Sequence, residues 1–91
     1  MKVYLMSLEL VKEAYIITSQ FPKTEQHILV SQIRRASVSV CSNIAEGASR
    51  ISKKEKRRFY EISRSSLVEI DSEFEIAFKL LHCRKEQIAN F

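Results

Sequence analysis

The sequence predicts an all-α protein, a bundle of helices, and three observations carry that prediction. Glycine and proline, the strongest local breakers, occur once each in 91 residues (Gly47 and Pro22), which leaves few, long elements. Apolar residues recur at alternating spacings of three and four, the period of a helix face rather than of a strand. The apolar share of 45% is that of a folded chain, not a disordered one. A length of 91 residues makes one domain at most, 1–91. So small a domain buries a modest fraction of its surface, and a single core leaves it little margin without partners.

The first helix is expected over 3–20. Leu10, Ala14, Ile17 and Phe21 form its core-facing stripe, and Tyr4, Leu8, Val11 and Tyr15 form a second stripe beside it. Phe21-Pro22 ends the helix, because the residue before proline is pushed out of the α region. Thr24 is the expected N-cap of a second helix over 25–48, with Glu25 placed against its dipole. On that helix Leu29, Ile33, Ala36, Val40, Asn43 and Gly47 share one face, and Val30, Ser37, Cys41, Ile44 and Ala48 an adjoining one. Two adjacent faces call for two neighbours. Its many small residues allow close approach but give mediocre helix propensity, so packing must hold it. Gly47 suits its C-terminus, and Ser52-Lys53-Lys54-Glu55 is a capping-box pattern opening a third helix over 53–82. Leu67, Ile70, Phe74, Ala77 and Leu81 are its stripe, extended backwards by Phe59 and Ile62. Residues 84–90 make a helical stub at most. The apolar stripes outnumber the partners available within one copy, which predicts self-association.

The two cysteines, Cys41 and Cys83, do not make a disulfide framework and read as small buried residues in a reducing compartment. No apolar run approaches a membrane span, and no cleavage site follows the N-terminal stretch, so a cytoplasmic protein is expected. With His82 and Cys83 adjacent on a helix and no Cys-x-x-Cys, no metal site is expected. No phosphate loop, nucleophile elbow or zinc-protease motif occurs, and Glu69 and Glu73 share a face without a histidine partner. Neither an enzyme activity, a cofactor nor a small-molecule substrate is expected.

The net charge is +4, unevenly spread. Arg50 to Arg64 holds seven Lys/Arg, and Ser65 to Phe78 holds four acids (Glu69, Asp71, Glu73, Glu75) and no base. This block pattern suggests an anionic partner or charge matching between subunits. Arg34, Arg35, Arg50, Lys53, Lys54, Arg57 and Arg58 are the candidate RNA or DNA contacts, although the basic run covers most of its helix circumference rather than one stripe. Asn43 and Glu46 share a helix edge with Arg50, and with Gln32 they are expected to form a structural polar network that fixes register.

The run Ser31-Gln32-Ile33-Arg34-Arg35-Ala36, with Ser39-Val40 and Ser42-Asn43-Ile44-Ala45-Glu46-Gly47, ending at Arg50, closely resembles the 23S rRNA intervening-sequence protein family. The similarity continues through Phe59 and Arg64-Ser65-Ser66-Leu67-Val68-Glu69, and back over Phe21-Pro22 to Val3-Tyr4. The resemblance implies a bacterial four-helix bundle, antiparallel and up-and-down, that assembles as a homopentamer and whose biochemical role is unsettled. A related fold, the accessory protein of diversity-generating retroelements, is a basic pentamer implicated in nucleic-acid binding. Three departures stand out: Cys41 where the family usually has Pro, Ser65 where Gly is common, and a last helix largely missing. The third helix is therefore expected to expose an apolar strip unless a neighbouring subunit or an irregular tail covers it.

Overall fold

Along the computed structural model, which describes residues 1–88, four helices and one tight turn follow each other. They are α1 (Lys2–Thr18), a 3-10 turn (Lys23–Glu25), α2 (Leu29–Ser49), α3 (Lys53–Lys79) and the one-turn α4 (Lys85–Ile88). No strand occurs among the described residues. Positions 89 and 90 of the expected stub lie outside them.

α2 is the central element, packed against both α1 and α3. The chain reverses at each turn, so both pairs are antiparallel. Arg34 meets Thr18 across the α1–α2 seam, while Ser63 meets Val40 and Ser66 meets Ser39 across the α2–α3 seam. The two apolar faces expected of α2 are indeed both used: Leu29, Val30, Ile33, Ala36, Ser37, Val40 and Gly47 are buried. With cysteine rather than proline at position 41, α2 runs unbroken through that point.

The α1 core stripe holds as expected, with Ala14, Ile17 and Phe21 buried and Leu10 packed against them. Phe21 meets Phe74 edge to face, ring centres 6.4 Å apart, a geometry aromatic pairs favour. On α3 the expected stripe is only partly right. Ile70, Phe74 and Ala77 are buried, but Leu67 is 40% and Leu81 87% exposed. The seam continues towards the N-terminus through Ser66 and Ser63 instead of Ile62. Ser63 donates to the Val40 carbonyl at 2.9 Å and Ser66 to the Ser39 hydroxyl at 2.9 Å. Small hydroxyls with local partners let the backbones approach where a larger side chain would wedge them apart.

Three boundaries also differ from expectation. Thr24 is not a cap: it lies within the 3-10 turn, and α2 opens at Leu29 with no side-chain cap after Ile28 (φ −117°, ψ −94°). Gly47 does not end α2, which continues to Ser49. Its missing side chain serves packing, since a Cβ there would come within 2.6 Å of the Tyr60 ring. α3 stops at Lys79 rather than 82. Leu81 takes a left-handed backbone (φ 62°), while its N–H donates to the Phe78 carbonyl and that of His82 to the Ala77 carbonyl, at 3.0 and 2.9 Å. These two bonds form a Schellman closure with leucine where glycine is usual. The Ser52 cap does form, its hydroxyl accepting from the Glu55 N–H at 3.0 Å.

His82 then bonds Glu25 at 2.8 Å, both side chains being largely buried, and its ring lies against Phe21. Gln87 of α4 donates to Gln20 at 3.2 Å. The result closes one end of the bundle. Between α1 and α3 an apolar groove of ≈ 690 Å³ remains, floored by Val40 and Ile44 and walled by Val3, Met6, Leu10 and Leu67. The molecule is a rod of 44 × 21 × 17 Å with a radius of gyration of 13.9 Å, against about 12 Å for a compact domain of this length. No helix among the described residues is long and apolar enough to cross a membrane.

Candidate nucleic-acid interface

The α2–α3 turn is where the positive charge gathers. α2 extends to Ser49 and α3 starts at Lys53, so the first turns of α3 stand at the end of the rod. Lys53, Lys54, Arg57 and Arg58 are all exposed there, and Ile51 at the apex is 97% exposed. Among the described residues only two carboxylates pair with these cations. Glu46 meets Arg50 at 3.0 Å and Glu61 meets Arg57 at 3.3 Å, and both pairs are exposed enough to contribute little. Cations also crowd the positive end of the α3 dipole, an arrangement that costs the helix stability. The cost is eased when an anion sits there.

Among the described residues Arg50 makes the most contacts of the group, an ion pair with Glu46 and the face of the Phe59 ring. Its guanidinium lies 4.8 Å from the Phe59 ring centre, and Arg58 approaches the same ring at 5.9 Å. Its Nε is buried without a partner among the described residues. Lys56 reaches back to the Ala48 carbonyl at 3.4 Å. A shallow groove of ≈ 380 Å³ runs beside them, lined by Lys53, Lys56, Arg57, Tyr60, Glu61 and Arg64. Lys53, Arg57, Tyr60 and Arg64 therefore make one stripe, which reading the basic run as spread around the helix missed. The signal was the four-three-four spacing of 53, 57, 60 and 64. Those positions span about 16 Å, several phosphates of one strand, and Tyr60 offers a face on which a base can stack.

Arg34 and Arg35 do not join this cluster. They lie about 24 Å from Arg50 along α2, beside the C-terminal end of α1. Arg34 is committed to that contact: its Nε donates to Thr18 Oγ1 at 2.9 Å and its guanidinium covers the Tyr15 ring at 4.5 Å. The expected Gln32–Asn43–Glu46 network is also divided. Asn43 donates to the Ser39 carbonyl at 2.8 Å and to its hydroxyl at 3.1 Å, Glu46 holds Arg50, and Gln32 is exposed nearer the start of α2. Eleven residues separate Gln32 from Asn43, about three turns, too far for one side-chain network.

The acidic half of α3 has its own singularity. Glu73 is 6% exposed, and one of its oxygens lacks a hydrogen-bond partner among the described residues. Burial, and then the charge of the adjacent Glu69, push its carboxyl up to about 7. Burial likewise raises the Cys83 thiol. Among the described residues no three His, Cys, Asp or Glu side chains come together as a metal site.

With the bundle and its basic end in view, one comparison decides the kinship. The family model described as 23S rRNA-intervening sequence protein matches residues 1–91. The chain belongs to that family. No individual curated protein matches it significantly. In this 23S rRNA-intervening sequence protein the Ser-Asn-Ile-Ala-Glu-Gly run lies in the C-terminal half of α2, where Asn43 bonds back to Ser39 and Gly47 packs against Tyr60 of α3.

Proposed function

We propose that this 23S rRNA-intervening sequence protein is a non-catalytic, self-associating bundle of the cytoplasm, of the homopentameric kind the family resemblance suggests. It binds structured RNA or DNA by the phosphate backbone through the end of the rod formed by Arg50, Lys53, Lys54, Arg57 and Arg58. The observation that carries the reading is the cluster of cations at the α2–α3 turn, of which Lys53, Lys54 and Arg58 have no carboxylate partner among the described residues, beside an exposed tyrosine. Self-association is supported by surface area. The chain exposes 6560 Å², whereas a monomer of 10.6 kDa is expected to expose about 5,500 Å². Large apolar side chains contribute to that exposure, with Leu5, Met6, Leu8, Val68, Ile76 and Leu80 all at least 43% exposed.

Binding of a short RNA hairpin measured at two salt concentrations tests the proposal. With about four phosphates contacted, affinity should fall roughly 100-fold between 50 and 200 mM salt. Reversing Lys53, Lys54, Arg57 and Arg58 to Glu should abolish it while the helix content stays unchanged. Absent binding at 50 mM salt, or binding indifferent to the reversal, refutes it. A second reading is favoured by the acidic residues Glu69, Asp71 and Glu75, which have no ion-pair partner among the described residues. In that reading the chain is a protein-interaction scaffold whose basic and acidic halves pair between subunits, and high salt alone dissociates it.

A further inference from the structure

Ile51, at the apex of the α2–α3 turn, does nothing for the fold. It is 97% exposed, so its side chain packs on almost nothing in its own chain. Yet the tip that carries it is firmly built. On one side the Arg50 N–H donates to the Gly47 carbonyl at 3.2 Å, closing α2. On the other the Ser52 hydroxyl accepts from the Glu55 N–H at 3.0 Å, opening α3. Arg50 and Ser52 are both extended (φ −81°, ψ 151° and φ −76°, ψ 140°), so the backbone leaves one helix end and enters the next with no slack between them. A β-branched side chain has few rotamers to lose. Ile51 is therefore a short apolar point whose place is set before anything meets it, which keeps the cost of ordering it low.

Cations surround the point. Arg50, Lys53 and Lys54 lie within three residues of it, no more than about 11 Å of chain, and the first turn of α3 sets one acid, Glu55, against them. An apolar tip among cations suits a membrane surface or a nucleic acid. A membrane-bound element buries a whole apolar face, whereas Ile51 stands alone between Ser49-Arg50 and Ser52-Lys53. Nucleic acid is the better fit, because single apolar side chains are inserted between base steps while nearby cations hold the adjoining phosphates. We infer that Ile51 is such a wedge, and that the basic end selects a duplex whose stack is already broken, at a bulge or a mismatch. Insertion costs least there, since the bases are already partly unstacked. The inference rests on the nucleic-acid reading above and names the ligand class within it. Arg50, Lys53 and Lys54 supply affinity for any phosphate backbone, and Ile51 supplies the preference among them.

Two short hairpins of one sequence, one fully paired and one carrying a single bulged base, test the wedge, each made as RNA and as DNA. At roughly 50 mM salt the wild type should bind both forms. It should prefer the bulged one about ten-fold, the low end of what burying an isoleucine side chain yields. Ile51→Ser should bring the two hairpins to equal affinity and leave that for the paired one unchanged, whereas Ile51→Leu should keep the preference. The side chain is free of contacts in the fold, so neither change should alter the helix content. A fluorescent adenine analogue beside the bulge should brighten as it unstacks when the wild type binds, and stay dim with Ile51→Ser. Phosphate contacts alone would not move that signal. A preference confined to RNA or to DNA supports the wedge and says which duplex accepts it. Equal binding of paired and bulged hairpins, a preference that survives Ile51→Ser, or a signal that stays dim with the wild type sinks the wedge and leaves the basic-end reading standing. Binding to vesicles of anionic phospholipid that disappears in Ile51→Ser, beside hairpin affinities that do not change, marks a membrane tip instead. No binding to any hairpin overturns both readings.

Discussion

Glu73 makes the stability of this bundle depend on pH in a direction opposite to that of most carboxylates. Its carboxyl is held up to about 7 in the fold, by burial first and by Glu69 second, against 4.5 for the free group. The folded chain thus holds this proton more tightly than the unfolded chain does. The resulting stabilisation is complete below 4.5 and is lost as pH rises through about 7. Between pH 5 and pH 8 the linkage relation gives a loss of about 2.5 kcal/mol at full strength. Rearrangement around the ionised carboxylate and entry of water relax part of that cost, so about 1–2 kcal/mol is the expected figure. Urea unfolding of wild type and Glu73→Gln at pH 5 and pH 8, at one protein concentration, reads it directly. The wild type should lose that amount across the interval, and the variant should lose little and be the more stable of the two at pH 8. Equal slopes for both proteins, or a wild type that gains stability relative to the variant towards pH 8, would refute the reasoning.

Leu81→Gly should stabilise the fold by about 1 kcal/mol, because the left-handed backbone at that position penalises any side chain with a Cβ and the leucine is nearly fully exposed; differential scanning calorimetry should show a melting point several degrees higher. Ser52→Ala removes the hydroxyl that accepts from Glu55 and should cost about 1 kcal/mol in chemical denaturation. Ser63→Leu should cost about 1–3 kcal/mol by forcing α2 and α3 apart, visible as a lower denaturation midpoint; an unchanged midpoint would mean the seam is not tight there. His82→Leu leaves Glu25 without its partner at 2.8 Å and should cost about 1–3 kcal/mol in the same measurement.

Long, periodic features of this chain were legible in its sequence, and short-range competitions were not. The α1 stripe of Leu10, Ala14, Ile17 and Phe21 could be read because large apolar groups at helical spacing have one favourable place to go. The serine cap before α3 could be read because its chemistry is local. The α3 seam was misread: counting apolar positions selects Leu67 and Leu81, whereas the α2–α3 approach selects the small Ser63 and Ser66, whose hydroxyls find partners across it. The start of α2 moved from 25 to Leu29 because Pro22 feeds a 3-10 turn that uses the backbone groups of Lys23 to Glu25 before the helix can begin. Within the candidate interface, the fold gathers Arg50 to Arg58 at the α2–α3 turn and sets Arg34 and Arg35 apart from them. Only the fold shows that Arg34 is held by Thr18 and Tyr15, and that Tyr60 and Arg64 complete a stripe with Lys53 and Arg57.

The central place of α2 also bears on how the chain is made. Its run of serines gives it little tendency to coil by itself, and both of its faces wait for neighbours. A chain still emerging from the ribosome can present α1 and α2 well before α3 exists to complete the sandwich. The middle segment should therefore stay unordered until α3 has been synthesised, and fragments cut after α2 should remain coil in solution.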